Sequence, residues 1–240
     1  MVEAELNTNF SEIEYEAVEF TNHIHPRLKV SPMYFELGFS SSPLIYGRNA
    51  VLHRLFKVIS LLPKDYGILI WDVYRPRAVQ AKLFNLMVDE VRKNFPYLTE
   101  EEQYIEVTKY ISPPAKIGEE YCSPHLSGGA IDLTIYSVST GEALNMGTDF
   151  DDFSDRAHRD YFTNKAGLSI DDEAIKERRK ILCESMEAVG FTSYLHEWWH
   201  FDIGTIFWSK EVNRPAVFGP LFGDEELPQT LFSTAVAHEK

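Results

Sequence analysis

The sequence predicts an α+β fold, in which a mostly antiparallel central sheet carries the functional site and helices pack around it. Apolar residues recur at helical spacing in four segments: 49–62, 76–95, 99–111 and 171–189. Apolar runs of strand length occupy 67–74, 129–136, 191–194 and 198–203. Most of the helical segments precede most of the strands, and this order favours α+β over a regular alternation of strands and helices.

Residues with strong local preferences mark the ends of these elements. Pro63 stops the first long helix, and Pro76 suits the first turn of the second. Thr99 followed three residues later by Glu102 forms a capping box that opens the third helix. Gly190 is placed to end the last helix.

The remaining segments carry weaker patterns. Residues 13–20 alternate in polarity and are predicted to form an edge strand, whereas 21–47 is predicted to be long and irregular. Thr140 and Gly141 are expected to turn a hairpin whose return strand joins the sheet. The acidic stretch 147–168 is predicted to be a loop.

The whole chain, 1–240, is expected to be a single domain, because no internal repeat or clear linker divides it. Residues 1–12 are polar and are expected to be frayed. The segment 205–240 holds Trp208 and Phe218 and is expected to be a C-terminal extension packed on the body.

Composition excludes several classes of partner. A net charge of −14 argues against nucleic acid or an anionic membrane surface, since both require basic patches. No apolar run approaches the ~18 residues of a membrane span. The acidic N-terminus lacks the apolar core of a secretory signal, so a cytoplasmic location is expected. In that compartment Cys122 and Cys183 are expected to be unpaired thiols rather than a disulfide.

The sequence SPHLSGGAID places His125 seven residues before Asp132, which lies inside an otherwise apolar strand. A buried carboxylate without a partner costs several kcal/mol, and a cation would offset that cost. An aspartate that bonds the amides of a turn would explain the pattern as well. The residues alone leave both interpretations open.

The aromatic run FTSYLHEWWHFDIG contains Glu197 and, three residues later, His200. Together with His125 and Asp132, His200 completes two imidazoles and one carboxylate, which is a usual set for a catalytic zinc with one open position. Glu197 would then be the base that takes a proton from water. His196 is a competing ligand, although its pattern favours a surface histidine.

The spacing of Glu197 and His200 requires a local break in the strand. Residues three apart share a face on a helix but point to opposite faces of a strand. A turn or bulge is therefore expected here if both groups face one metal.

Arg75 follows a buried strand, where a fixed guanidinium suits an oxyanion. Spacing alone favours a simpler role, a salt bridge to Asp72 or to a surface acid.

Four separated motifs in one order, WDVYRPRAV, SPHLSGGAIDLTIY, MGTDFDDFSDRAH and EWWHFDIG, resemble the D-alanyl-D-alanine dipeptidases of the vancomycin-resistance type. These belong to a zinc peptidase group that shares a fold with D-Ala-D-Ala carboxypeptidases and the Hedgehog signalling domain. The resemblance covers about residues 45–204 and is specific because four motifs agree.

The resemblance implies that His125, Asp132 and His200 bind one Zn²⁺ per chain. It further implies that Glu197 acts as general base and then acid, and that Arg75 stabilises the tetrahedral intermediate.

Three more residues are implied to meet the substrate: Asp151 at the substrate ammonium group, Ser123 in the pocket, and Tyr34 along its wall. Gly38 departs from the family pattern, which has an asparagine near this point.

The implied function is hydrolysis of D-Ala-D-Ala to two D-alanines, with a small D,D-dipeptide as the partner and a monomer or homodimer as the assembly. The reaction would consume a cell-wall precursor or recover D-alanine. One alternative is a D,D- or L,D-carboxypeptidase that trims longer wall peptides. Another is a zinc-stabilised binding module without turnover, against which Glu197 and Arg75 argue.

Overall fold

The computed structural model describes residues 10–224, which form seven helices and seven strands. The helices are α1 Met33–Glu36, α2 Asn49–Leu61, α3 Arg77–Asn94, α4 Glu100–Val107, α5 Tyr161–Asn164, α6 Ile170–Glu187 and α7 Ile206–Val212. The strands are β1 Ala17–Phe20, β2 Leu28–Val30, β3 Ile45–Arg48, β4 Tyr66–Asp72, β5 Ala130–Ser137, β6 Thr192–Ser193 and β7 His200–Asp202. Within residues 10–224, no helix is both long enough and apolar enough to cross a membrane.

The main sheet has five strands in the order β2-β4-β5-β7-β6, and β1 pairs with β3 in a separate two-stranded sheet. The successive pairs β4–β5, β5–β7 and β7–β6 are antiparallel, whereas β2 is parallel to β4. The α+β class and the mostly antiparallel character of the sheet are confirmed, and the one parallel pairing, of β2 with β4, makes the sheet mixed.

Two strand predictions need correction. The fifth strand is β2, which lies in the stretch 21–47 that was predicted to be irregular. Its three residues are too few to show a periodic pattern. The return strand expected after Gly141 does not join the sheet, because the turn closes with a single isolated bridge between Tyr136 and Ala143.

The long helices and their boundaries follow the sequence closely. The predicted capping box is present at α4, where Thr99 accepts a hydrogen bond from the Glu102 amide and the Glu102 carboxylate accepts one from the Thr99 amide. Helix α4 ends at Val107, four residues before the predicted limit. The 147–168 stretch, predicted to be a loop, contains the short helix α5.

Both ends of the described chain pack on the body. The Phe10 ring lies edge-on against Trp208 and Phe218. Residues 1–9, most of the segment expected to be frayed, lie outside the described residues. So does 225–240 of the expected C-terminal extension.

The turn that leads into β5 is fixed by contacts with distant parts of the chain. Arg48 is buried and donates to the backbone carbonyls of Tyr15, Ser127 and Gly219, so one guanidinium joins both chain ends to the turn that carries His125. A Cβ at Gly129 would lie 2.4 Å from the Ile203 carbonyl oxygen, which requires glycine at this position. These contacts fix the position of the turn relative to the sheet.

Candidate active site

The site is built around Asp132 on β5, the centre of the sheet. Asp132 pairs with Asp72 of β4 on one side and with His200 of β7 on the other. His125 lies in a 3-10 turn that ends at Gly128, just before β5. The register of β5 with β7 places His200 beside Asp132, and the turn before β5 places His125 there too. The two histidines are therefore neighbours although they are 75 positions apart in the chain.

The facing atoms of three buried side chains converge. His125 Nε2 lies 3.2 Å from His200 Nδ1, and the two Asp132 oxygens lie 3.0 Å from His200 Nδ1 and 3.3 Å from His125 Nε2. One atom from each residue lies within 4.8 Å of the others. Among the residues that the structure describes, no other cluster of three or more histidine, cysteine or acidic side chains has metal-binding spacing.

The outer nitrogens of both imidazoles have acceptors. His125 Nδ1 lies 2.8 Å from the Val73 carbonyl oxygen, and His200 Nε2 lies 2.8 Å from Asp202 Oδ2. In the neutral rings these nitrogens donate, which leaves lone pairs on the two nitrogens that face each other. Two such lone pairs beside a carboxylate are stabilised by a cation, and imidazole with carboxylate suits zinc. The donor set therefore fits the predicted metal.

Asp132 favours a cation in its own right. The side chain is 1% exposed. Burial raises the pKa of its carboxyl, but when both imidazoles are protonated the charge on His125 and hydrogen bonds from both histidines outweigh burial and lower the pKa well below its usual range. A metal ion held by the neutral rings would supply positive charge at the same place.

Glu197 begins a turn whose closing amide, His200 N, donates to the Glu197 carbonyl oxygen at 3.4 Å. Strand β7 starts only at His200, so the predicted break in the strand is present. Glu197 Oε2 lies 3.8 Å from His200 Nδ1. Burial raises the pKa of the Glu197 carboxyl to about 8, although the His200 charge opposes this shift. Such a group can accept and return a proton near neutral pH.

Arg75 makes the predicted salt bridge and also faces the site. Its Nε donates to Asp72 at 2.9 Å, its Nη1 to Gln80 at 3.1 Å, and its Nη2 to Asp132 at 3.1 Å. The guanidinium lies 4.5 Å from the centre of the Tyr34 ring. It is thus a cation in one fixed orientation beside the metal-binding cluster.

Asp151 adds a second buried carboxyl near the cluster. Its backbone has the left-handed φ of 57°, and its Oδ2 accepts a hydrogen bond from the Tyr34 hydroxyl at 3.0 Å. Burial raises the pKa of Asp151 to about 7 against the opposing charge of Arg75. A cationic group of a substrate would favour the ionised form.

These groups line one cavity of about 410 Å³. All eight candidate site residues line it: Tyr34, Arg75, Ser123, His125, Asp132, Asp151, Glu197 and His200.

Two other residues of a type that can bind metal, His196 and Cys122, are not part of the cluster. His196 faces His158, with Nδ1 3.3 Å from the His158 Nε2. Burial raises the pKa of the Cys122 thiol to about 11, which disfavours the thiolate that a metal needs. Cys122 and Cys183 are unpaired, as predicted.

Sequence reasoning missed the residues that support the site. Asp202 orients His200, and the Thr205 hydroxyl in turn donates to Asp202 at 2.6 Å. The signal was available, because residues two apart on a strand share a face. Arg179 was also missed. This buried guanidinium donates to the carbonyls of Met146, Arg156 and His158, and so holds both ends of the loop that carries Asp151.

Residues 44–215 match the family model Peptidase_M15, described as D-Ala-D-Ala dipeptidase. The chain belongs to this family. Curated D-alanyl-D-alanine dipeptidases are similar to it: that of Enterococcus faecalis is 34% identical over 66% of this chain and 73% of its own, and that of Enterococcus faecium is 36% identical over 65% and 72%. The Escherichia coli dipeptidase is 29% identical over 75% of this chain and 81% of its own.

A solved structure of the vancomycin-resistance D,D-pentapeptidase VanY with Zn(II) aligns over 72% of this chain and 80% of its own, with 14% identity and a TM-score of 0.42. That likeness is too low to carry an argument. Family membership itself confirms the predicted enzyme class, a metallopeptidase, and the cluster of His125, Asp132 and His200 fits zinc.

Replacing Asp202 by alanine tests the outer support of the metal-binding cluster. Without its acceptor the His200 ring loses its fixed tautomer and orientation, so we expect zinc to bind ~10–100-fold more weakly. Competition with a chromogenic chelator measures this affinity. Asp65→Ala, which removes an exposed carboxylate, is the control and should bind zinc normally. Unchanged zinc affinity in a folded Asp202→Ala protein would contradict the ligand role of His200.

Proposed function

We propose that this protein is a zinc-dependent dipeptidase that hydrolyses D-Ala-D-Ala to two D-alanines. One observation carries the proposal: a single cavity holds the buried cluster of His125, Asp132 and His200 with two further carboxyl groups, Glu197 and Asp151. The cluster suits a metal, and the two carboxyl groups suit proton transfer and recognition of an amine. The names of the curated relatives agree with this activity.

His125, Asp132 and His200 would hold the zinc ion. A bound zinc supplies a Lewis acid for the peptide carbonyl and lowers the pKa of water toward ~7.

Proton transfer is assigned to Glu197. Its carboxylate takes a proton from the attacking water and returns it to the nitrogen of the leaving D-alanine. Burial raises the pKa of this carboxyl, which suits the return of the proton, since a base must later serve as the acid.

Arg75 is assigned to the oxyanion. Its guanidinium is held by Asp72, Gln80 and Asp132, so it needs little reorganisation when negative charge develops on the carbonyl oxygen.

Asp151 is assigned to the free amine of the substrate. The Tyr34 hydroxyl holds this carboxyl in place, and the ammonium of a dipeptide would be its cationic partner. Ser123, which is buried in the cavity wall, is assigned to substrate contact. A need for a free amine distinguishes a dipeptidase from a carboxypeptidase that trims longer peptides.

The proposed setting is the cytoplasm, where a free dipeptide precursor of the cell wall would be available. Hydrolysis there would deplete that precursor or recover D-alanine.

A panel of three substrates tests the function. The zinc-loaded enzyme should release D-alanine from D-Ala-D-Ala, and should act ~100-fold or more slowly on N-acetyl-D-Ala-D-Ala, because the acetylated peptide leaves Asp151 without its cation. L-Ala-L-Ala is the stereochemical control and should be a poor substrate. Cleavage of only the acetylated peptide would contradict the dipeptidase assignment and favour a carboxypeptidase.

Replacing Glu197 by alanine tests proton transfer. We expect the rate to fall by ~10²–10⁴-fold or more, because the attacking water loses its base, while about one zinc remains bound per chain. Activity and zinc content are measured on the same sample, and Glu120→Ala, at an exposed position, is the control. Loss of zinc together with activity would make Glu197 a ligand or a structural residue.

A further inference from the structure

The cavity is larger than two alanines require. Its volume of about 410 Å³ falls within the ~300–1,000 Å³ of pockets that enclose drug-sized ligands. The side chains of D-Ala-D-Ala are one methyl group each. The surplus space must therefore serve another part of a substrate or stay filled with water.

Part of the cavity lining is an apolar surface, which we call the apolar arm. It consists of six cavity-lining residues: Leu83, Leu86, Met87, Tyr110, Ile111 and Phe153. The first three project from adjacent turns of one face of α3, which is the helical spacing of neighbours.

The apolar arm begins beside Tyr34. The Tyr34 ring packs in one buried cluster with Leu83, and Ile111 packs against this cluster. Ile111 also packs against the next cluster, which contains Met87. Arg75 stacks on the same Tyr34 ring and reaches Asp132, so Tyr34 lies between the metal-binding cluster and the arm.

This position relates the apolar arm to the amine end of a substrate. The Tyr34 hydroxyl donates to Asp151, the group assigned to the substrate ammonium. A dipeptide whose ammonium group lies at Asp151 would therefore place its N-terminal side chain nearest to the arm. Glu90, one helical turn beyond Leu86 on α3, also lines the cavity, so this side of the cavity is unsuited to the substrate carboxylate.

We propose that the substrate class includes dipeptides whose N-terminal D-residue has a large apolar side chain, such as D-leucine or D-phenylalanine, and that the apolar arm receives that side chain. This inference rests on the proposed dipeptidase function and on the assignment of Asp151. Filling apolar surface with extra methylene groups favours such substrates over D-Ala-D-Ala.

The test compares kcat/KM of the zinc-loaded enzyme on D-Leu-D-Ala, D-Ala-D-Leu and D-Ala-D-Ala. We expect D-Leu-D-Ala to exceed D-Ala-D-Ala by roughly tenfold, with a smaller gain for D-Ala-D-Leu. A value for D-Leu-D-Ala below that for D-Ala-D-Ala overturns the inference and leaves the proposed function intact. If no dipeptide is cleaved, D-Ala-D-Ala included, the proposed function fails as well.

Two tryptophan substitutions locate the effect. Ile111→Trp fills the apolar arm and should lower kcat/KM for D-Leu-D-Ala by roughly tenfold or more, a larger loss than for D-Ala-D-Ala, whose methyl side chain does not reach into the arm. Ile105→Trp places the same side chain at an exposed position on α4 and should change neither value. Leu86→Trp, at a half-exposed position of the arm, repeats the test where folding is least at risk. Equal losses on both substrates, or faster cleavage of N-acetyl-D-Leu-D-Ala than of D-Leu-D-Ala, would overturn the assignment.

Discussion

The site depends on the burial of one carboxylate, Asp132, between two imidazoles. The register of β5 with β7 places His200 beside it, and the turn before β5 places His125 against its second oxygen. Burial of this group would be unfavourable without positive charge nearby. Arg75 supplies part of that charge through its hydrogen bond to Asp132. A divalent metal ion bound by His125, Asp132 and His200 would supply the rest.

Acidic groups outnumber basic ones around this centre. Five carboxyl groups, those of Asp72, Asp132, Asp151, Glu197 and Asp202, lie in or beside the site, where Arg75 is the one guanidinium among the cavity-lining residues. This excess favours the binding of a metal ion, and it supports the proposal that the ammonium group of a substrate lies beside Asp151. Burial raises the pKa values of Glu197 and Asp151, and neighbouring carboxylates act in the same direction, whereas the charges of His200 at Glu197 and of Arg75 at Asp151 oppose the rise.

The sequence contains strong signals for the central residues and weak ones for their surroundings. Asp132 was detectable because an acid in an apolar strand needs a partner, and the break at Glu197 followed from strand geometry. The parallel strand β2 was not detectable, since three residues show no period. Nor was the apolar arm, because α3 and the segment after α4 meet only in the folded chain. Asp202 lies between these cases, because its two-residue spacing from His200 is a detectable but weak signal for a hydrogen-bond partner on the same strand face.

X-ray absorption spectroscopy of the zinc-loaded protein tests the central claim most directly. The account predicts nitrogen and oxygen ligands at ~2.0–2.2 Å, with the multiple scattering of two imidazoles and no sulfur near ~2.3 Å. The same spectrum on Asp132→Ala protein should lose the ordered site, because the carboxylate between the two histidines is gone. A sulfur ligand, or an unchanged spectrum in that variant, would contradict the account.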